Sequence, residues 1–180
     1  MSTAIPSYPW YAIVTGDEVE QGDILESCPI FFPPDDLATQ PLSSAQFTWS
    51  ERDVIVMSQT CDLMKGREKV REVLLCPVWG RSELTEGHLA SDKGMEDARR
   101  GNLPGFHILA ECSLANFSRE VRVVDFRRVY SLPLTFIRKR AASAERVCLL
   151  PPYREHLSQA FARFFMRVGL PVDIPPFKKG

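Results

Sequence analysis

The run Asp53-Val54-Ile55-Val56-Met57-Ser58 constrains this chain more than any other stretch. It is short, β-branched and apolar without alternation, which reads as a strand buried on both faces. Val73-Leu74-Leu75-Cys76-Pro77-Val78 repeats that character at the end of residues 70–78, and residues 59–69 read as the connecting turn. Upstream, Gly22-Asp23-Ile24-Leu25 leads into Cys28-Pro29-Ile30-Phe31-Phe32. Pro33-Pro34-Asp35-Asp36 stops that run, because proline has no N–H to give to a ladder. Residues 37–50 are polar and irregular and read as a long loop. The strand signal returns at residues 106–112, 121–126 and 129–132. Short strands of antiparallel character, separated by turns, predict a mainly β fold built on a small barrel or sandwich.

Two helical segments decorate these strands. Residues 81–101 are charged and helix-permissive, with Ser91 as N-cap, Met95 and Ala98 following, and Gly101 suited to the left-handed C′ position. After Pro151-Pro152, apolar side chains fall at Leu157, Ala160, Phe161, Phe164, Phe165 and Val168, a single helical stripe that Gly169 and Pro171 end. The stripe predicts a helix packed on the barrel; a partner or dimer surface is the alternative. The organisation expected is a barrel domain over residues 1–150, including the insertion 81–101, followed by a C-terminal helix and tail over residues 151–180.

Among 180 residues, 22 Lys+Arg against 23 Asp+Glu give a net charge of -1, and 44% of residues are hydrophobic. That content fills one core and excludes a disordered tail or a wholesale basic nucleic-acid binder, so any polyanion site has to be a local patch. Arg99-Arg100, Arg127-Arg128 and Arg138-Lys139-Arg140 are such patches; each reads either as a wall of a phosphate-binding groove or as solvated surface. The five cysteines are widely spaced without Cys-x-x-Cys, which predicts a reduced, cytoplasmic protein with neither a disulfide framework nor a zinc site. The first seven residues carry no Lys or Arg and no apolar core of a secretory signal, and no run of roughly 18 apolar residues predicts a membrane span.

Reactive side chains crowd one strand end, Ser58-Gln59-Thr60-Cys61-Asp62-Leu63. Cys61 is a candidate nucleophile, Asp62 a group to orient a base or bind a cation, and Thr60 a donor. The alternative is a structural turn whose hydroxyls and carboxylate bond the local backbone. A Cys–His pair would draw on His107, which lies on a predicted strand, rather than on His88 in the insertion or His156 in the first turn of the last helix.

Four motifs together resemble the MazF/PemK toxin family of small SH3-like barrels. Gly22-Asp23-Ile24 resembles the family's opening strand, and Arg52-Asp53-Val54-Ile55-Val56-Met57-Ser58 its Arg-Pro-Val-Leu-Val-Leu-Ser strand. Leu74-Leu75-Cys76-Pro77-Val78-Trp79 is similar to a third strand ending Cys-Pro-Ile-Thr, and Asp125-Phe126-Arg127-Arg128-Val129 to a later Asp-x-x-Arg strand. The resemblance implies an SH3-like barrel and metal-independent cleavage of single-stranded RNA by a homodimer restrained by a cognate antitoxin, with no cofactor. It implies that Arg52 steadies the phosphate, with Asp125 and Arg128 on a facing strand that runs beside the one ending at Ser58. A guanidinium on the developing charge and a group to move the 2′-hydroxyl proton are what metal-free phosphoryl transfer needs. Trp79 stands where the family has threonine and Asp53 where it has proline, so Ser58 or Thr60 would have to substitute. Two other readings stand beside this one: a non-catalytic protein-interaction module on the same barrel, and a cysteine-dependent enzyme using Cys61.

Overall fold

The computed structural model describes residues 8–166 apart from positions 40, 42 and 44. Its strands are β1 (Tyr11–Val14), β2 (Asp23–Phe32), β3 (Thr48–Val56), β4 (Glu72–Gly80), β5 (Phe106–Leu109), β6 (Arg122–Asp125), β7 (Tyr130–Pro133) and β8 (Arg146–Leu149). Its helices are α1 (Thr60–Leu63), α2 (Asp92–Arg99), α3 (Leu134–Ala142) and α4 (Tyr153–Phe165). The expected mainly β, α+β class is what forms: every strand pairs antiparallel, in the order β1-β8-β2-β3-β4-β6-β5, with β7 added to β4.

β4 organises this sheet. Its first half pairs with β7, its middle with β3 and its last residues with β6. The sheet is not closed by a ladder, since β1 and β5 remain its edges. It curls, however, until the Tyr11 hydroxyl in β1 donates a 2.6 Å hydrogen bond to the carbonyl of Ala110, just past β5. Burial pushes that phenol up to about 12, so it keeps its proton at any physiological pH.

The two-faced character of the central strand is accounted for by two cores. Ile55 and Met57 face one core with Ile24, Val78, Val124, Phe126 and Leu149; Val54 and Val56 face the other with Leu25, Val73 and Leu75. The first is covered by α4 through Leu157, Phe161 and Phe164, so the apolar stripe packs on the sheet as expected, with Phe165 left exposed. Its Val168, Gly169 and Pro171 lie outside the described residues. The second core is covered by α3 through Leu134, Ile137 and Ala141, an i, i+3, i+7 stripe. The insertion forms α2, where the Gly94 N–H donates to the Ser91 hydroxyl at 3.1 Å and Gly101 takes φ 79°. Met95 and Ala98 pack with Leu89 against Val123 and Ile108.

The long loop expected over residues 37–50 is shorter, because β3 starts at Thr48 and pairs Thr48, Trp49 and Ser50 with Phe32, Phe31 and Ile30. One face of this outer part of the hairpin is solvated, so polar residues extend it, while Ile30 and Phe32 on the other face pack into the second core. A bulge at Ser27 re-aims this hairpin, and the Asp53 carboxylate accepts the bulged Ser27 N–H at 3.0 Å.

One buried ion pair ties the sheet to its first loop. Arg146 on β8 donates at 2.8 Å to Asp23 on β2, and the same guanidinium reaches the carbonyls of Gly16, Glu18 and Ala141. Every arm of the cation is thus satisfied inside the fold.

Candidate functional site

The reactive strand end folds into a turn whose side chains hold backbone. The Ser58 hydroxyl accepts the Leu74 N–H at 2.9 Å, and Thr60 Oγ1 accepts the Gln21 N–H at 3.1 Å. Gln21, buried in the first loop, donates its amide to the Met57 carbonyl at 2.9 Å. Asp62 takes Lys69 Nζ at 3.0 Å, while the Lys69 N–H donates back to the Asp62 carbonyl and closes the turn. That hydrogen bond, with the negative charge beside it, raises the Lys69 pKa. Cys61 is exposed, its Sγ 3.6 Å from Asp62 Oδ1. The other four cysteines are buried free thiols, and burial pushes Cys28 to about 11 and Cys76 to about 12, which makes them inert packing groups.

The residues aligned with the toxin motifs are divided between separate recesses. Arg52 lays its guanidinium carbon 5.1 Å from the Trp79 ring centroid, so the tryptophan standing in place of the family's threonine serves as a platform for this cation. Their recess, about 130 Å³, is walled by Glu51, Asp53 and Glu83, and an arriving phosphate would meet those carboxyl groups. Asp125 is buried and saturated: its oxygens accept the Arg127 N–H, Nε and Nη2 at 3.0, 2.8 and 2.9 Å. Arg127 in turn lies 4.2 Å over the Phe106 ring. Arg128 is exposed and lines a cleft with Asp125, Trp79, Glu83 and Glu86, so Asp125 and Arg128 share one recess and Arg52 lies in another.

The strand ending near Ser58 and the strand containing Asp125 do not run side by side, because β4 lies between them. Val124 pairs with Val78, whereas Ser58 is bonded at Leu74, so their polar ends sit at different heights on β4. The physical reason is β4 itself: long and apolar on both faces, it satisfies β3 on one side and β6 on the other. Of the remaining basic run, Arg138 pairs with Glu68 at 2.6 Å and Arg140 donates to the Glu26 carbonyl, which makes both structural ties.

A different constellation does assemble. Between α2, β5 and α4 lies a cleft of about 650 Å³. Arg99 and Arg100 line it from the end of α2, Arg163 from α4, and Trp10 and Phe106 form aromatic walls. Arg99 and Arg100 both engage Glu96 at 2.6 Å, while Arg163 has no acidic partner among the described residues. Among the described residues, no carboxylate lines the cleft. Trp10 is fixed by stacking on Tyr153, with ring centroids 3.7 Å apart and planes 10° apart. His107 and His156 complete the wall. Burial pushes the His107 imidazole down to about 4, with the neighbouring His156 charge acting in the same direction, so His107 is neutral at pH 7.

Helix α4 keeps this cleft apart from the reactive turn. His156, Gln159 and Arg163 face the cleft, whereas Ser158, Phe161 and Ala162 border a groove of about 670 Å³ that holds Ser58, Gln59 and Asp62. His107 is therefore not brought to the turn that carries Cys61. Arg99-Arg100 and His107 stood out in the sequence; Trp10, His156 and Arg163 did not. The available signal was on α4, where His156, Gln159 and Arg163 follow an i, i+3, i+7 spacing beside the apolar stripe.

No protein-family model matches this sequence, and a search of curated proteins gives no match. Among the described residues, no three His, Cys, Asp or Glu side chains gather to hold a metal ion, and no helix is long and apolar enough to cross a membrane.

Proposed function

We propose that this chain binds single-stranded RNA in the cleft between α2, β5 and α4, as a toxin-type, endoribonuclease-like protein on a curled relative of the SH3-like barrel. One observation carries the reading. In a chain of net charge -1, three arginines and two aromatic rings converge on one concave surface that, among the described residues, holds no carboxylate. Guanidinium groups bind phosphates in bidentate geometry, and unpaired bases stack on aromatic faces. A cleft of about 650 Å³ has room for a nucleotide or two and none for a duplex, which favours a flexible single strand. The curl that brings Tyr11 to Ala110 supports the barrel relationship, because it wraps the sheet around the first core.

Fluorescence anisotropy with a labelled, randomised 20-nucleotide RNA pool tests this. Replacing Arg99, Arg100 and Arg163 by alanine together is expected to weaken binding at least about tenfold and to flatten the salt dependence by roughly one unit of slope for each phosphate no longer neutralised. Arg52→Ala is expected to leave binding within about twofold, given its acidic recess. Wild-type protein that does not bind, or a triple variant that binds as tightly as wild type, overturns the reading.

A second reading, the protein-interaction module, is favoured by the β2–β3 overhang. Phe31 and Trp49 are register partners there and stand 55% and 60% exposed, with Phe47 beside them. Large aromatics in an exposed patch mark a partner surface, and an antitoxin is the kind of partner this reading calls for.

A further inference from the structure

We infer that His107 and His156 are the proton-transfer pair of a metal-free RNA-cleaving centre in the arginine-lined cleft, a reading that rests on the RNA-binding proposal above. Both imidazoles line the same cavity as Arg99, Arg100 and Arg163. They are carried by separate, rigid supports. His107 sits on β5, paired with Val124 of β6, with its ring 6.2 Å from that of Phe126. His156 projects from the first turn of α4, its ring edge-on to Tyr153 at 6.2 Å, and Tyr153 is itself stacked on Trp10. The charged and titratable groups that line the cleft with His107 are His156 and Arg163 from α4 and Arg99 and Arg100 from the end of α2, and of these His156 is the one whose charge acts on it. His107 is half-buried, and desolvation with the neighbouring His156 charge keeps it neutral, the state a proton acceptor needs, whereas His156 is exposed at the cleft mouth.

The step balances without a co-reactant. Neutral His107 takes the proton of a ribose 2′-hydroxyl as the 2′-oxygen forms a bond to the adjacent phosphorus. The bond from phosphorus to the 5′-oxygen breaks, and protonated His156 gives its proton to that leaving oxygen. The products are a 2′,3′-cyclic phosphate and a 5′-hydroxyl. His107 is left protonated and His156 neutral, and exchange with solvent restores both. The arginines stabilise the charge that builds on the non-bridging oxygens, where pre-oriented cations act most strongly. The Ser58–Asp62 turn plays no part in this chemistry.

The test uses the full chain in EDTA with two probes: a randomised 20-nucleotide RNA pool for cleavage, and the same pool fully 2′-O-methylated for binding alone. Wild type is expected to cleave the first pool and to leave 2′,3′-cyclic phosphate ends detectable by mass spectrometry. At saturating protein, so that affinity does not enter the rate, His156→Gln and His107→Gln are each expected to lower cleavage at least about 100-fold. His156 is exposed, so its replacement keeps the test valid should the His107 variant unfold. Binding of the methylated pool without cleavage of the RNA overturns this inference and leaves the RNA-binding proposal standing. Cleavage undiminished in His156→Gln also overturns it, and failure of wild type to bind either pool overturns both.

Discussion

Replacing Arg146 by methionine is expected to lower the free energy of unfolding by about 3–5 kcal/mol, because it strands a buried carboxylate. Asp23 is 1% exposed and Arg146 5%, so water cannot stand in for the guanidinium. The Gly16, Glu18 and Ala141 carbonyls lose their donor in the same step. A domain of this size typically holds about 5–15 kcal/mol in total, so the variant sits near the edge of folding. Urea denaturation followed by circular dichroism measures the change. Methionine at 146 combined with Asp23→Leu is expected to recover much of the loss, since it removes the orphaned charge. A single variant within about 1 kcal/mol of wild type would show that the pair contributes nothing. The damage should also spread, because the loop that Arg146 anchors carries Gln21, whose amides hold Met57 and Thr60.

Acid should unfold this protein partly through one imidazole. His107 is half-buried with a pKa of about 4, below the ordinary value of 6.5, held down by desolvation and by the neighbouring His156 charge. The folded state therefore resists protonation that the unfolded chain accepts. Above about pH 7 both states are neutral and nothing is lost. As pH falls through 6.5 the unfolded chain gains a proton that the native state refuses, and stability declines until the native pKa of about 4 is reached. Between about pH 7.5 and pH 5 the linkage amounts to about 2 kcal/mol. Denaturant midpoints at those two pH values, compared for wild type and His107→Gln, isolate this contribution from that of the carboxylates. The glutamine variant should lose about 2 kcal/mol less than wild type over that interval. Equal losses would mean that the imidazole titrates freely in the native state.

The sequence discloses side-chain periodicity well and tertiary partnership poorly. The run from Asp53 to Ser58 announces its two buried faces because Val54 and Ile55, successive and fully buried, leave neither side for solvent. The α4 stripe is equally plain. By contrast α3 hides: Leu134, Ile137 and Ala141 fall at helical spacing, but Arg138-Lys139-Arg140 between them draws attention as a charge cluster. β8 escapes because four residues between a helix and two prolines give too short a signal for alternation to register. The toxin-like site misleads for a related reason. Asp125 looks available until the fold shows Arg127, two residues on, occupying both its oxygens. The cleft is legible only in fragments, since Trp10, Phe106 and Arg163 come from opposite ends and the middle of the chain and meet only when the sheet curls.

That curl ends in a seam without a ladder, where the Tyr11 phenol reaches Ala110 and Arg119, beyond β5, grips Glu26 of β2. Trp10, next to Tyr11, and Ala110, which receives the Tyr11 hydroxyl, both line the cleft. Two walls of the cavity thus belong to opposite margins of one sheet, and α4 packs across them, with Tyr153 on Trp10 and Phe161 on Phe126. A guest there would touch both margins at once, so occupancy is expected to slow hydrogen exchange on both together.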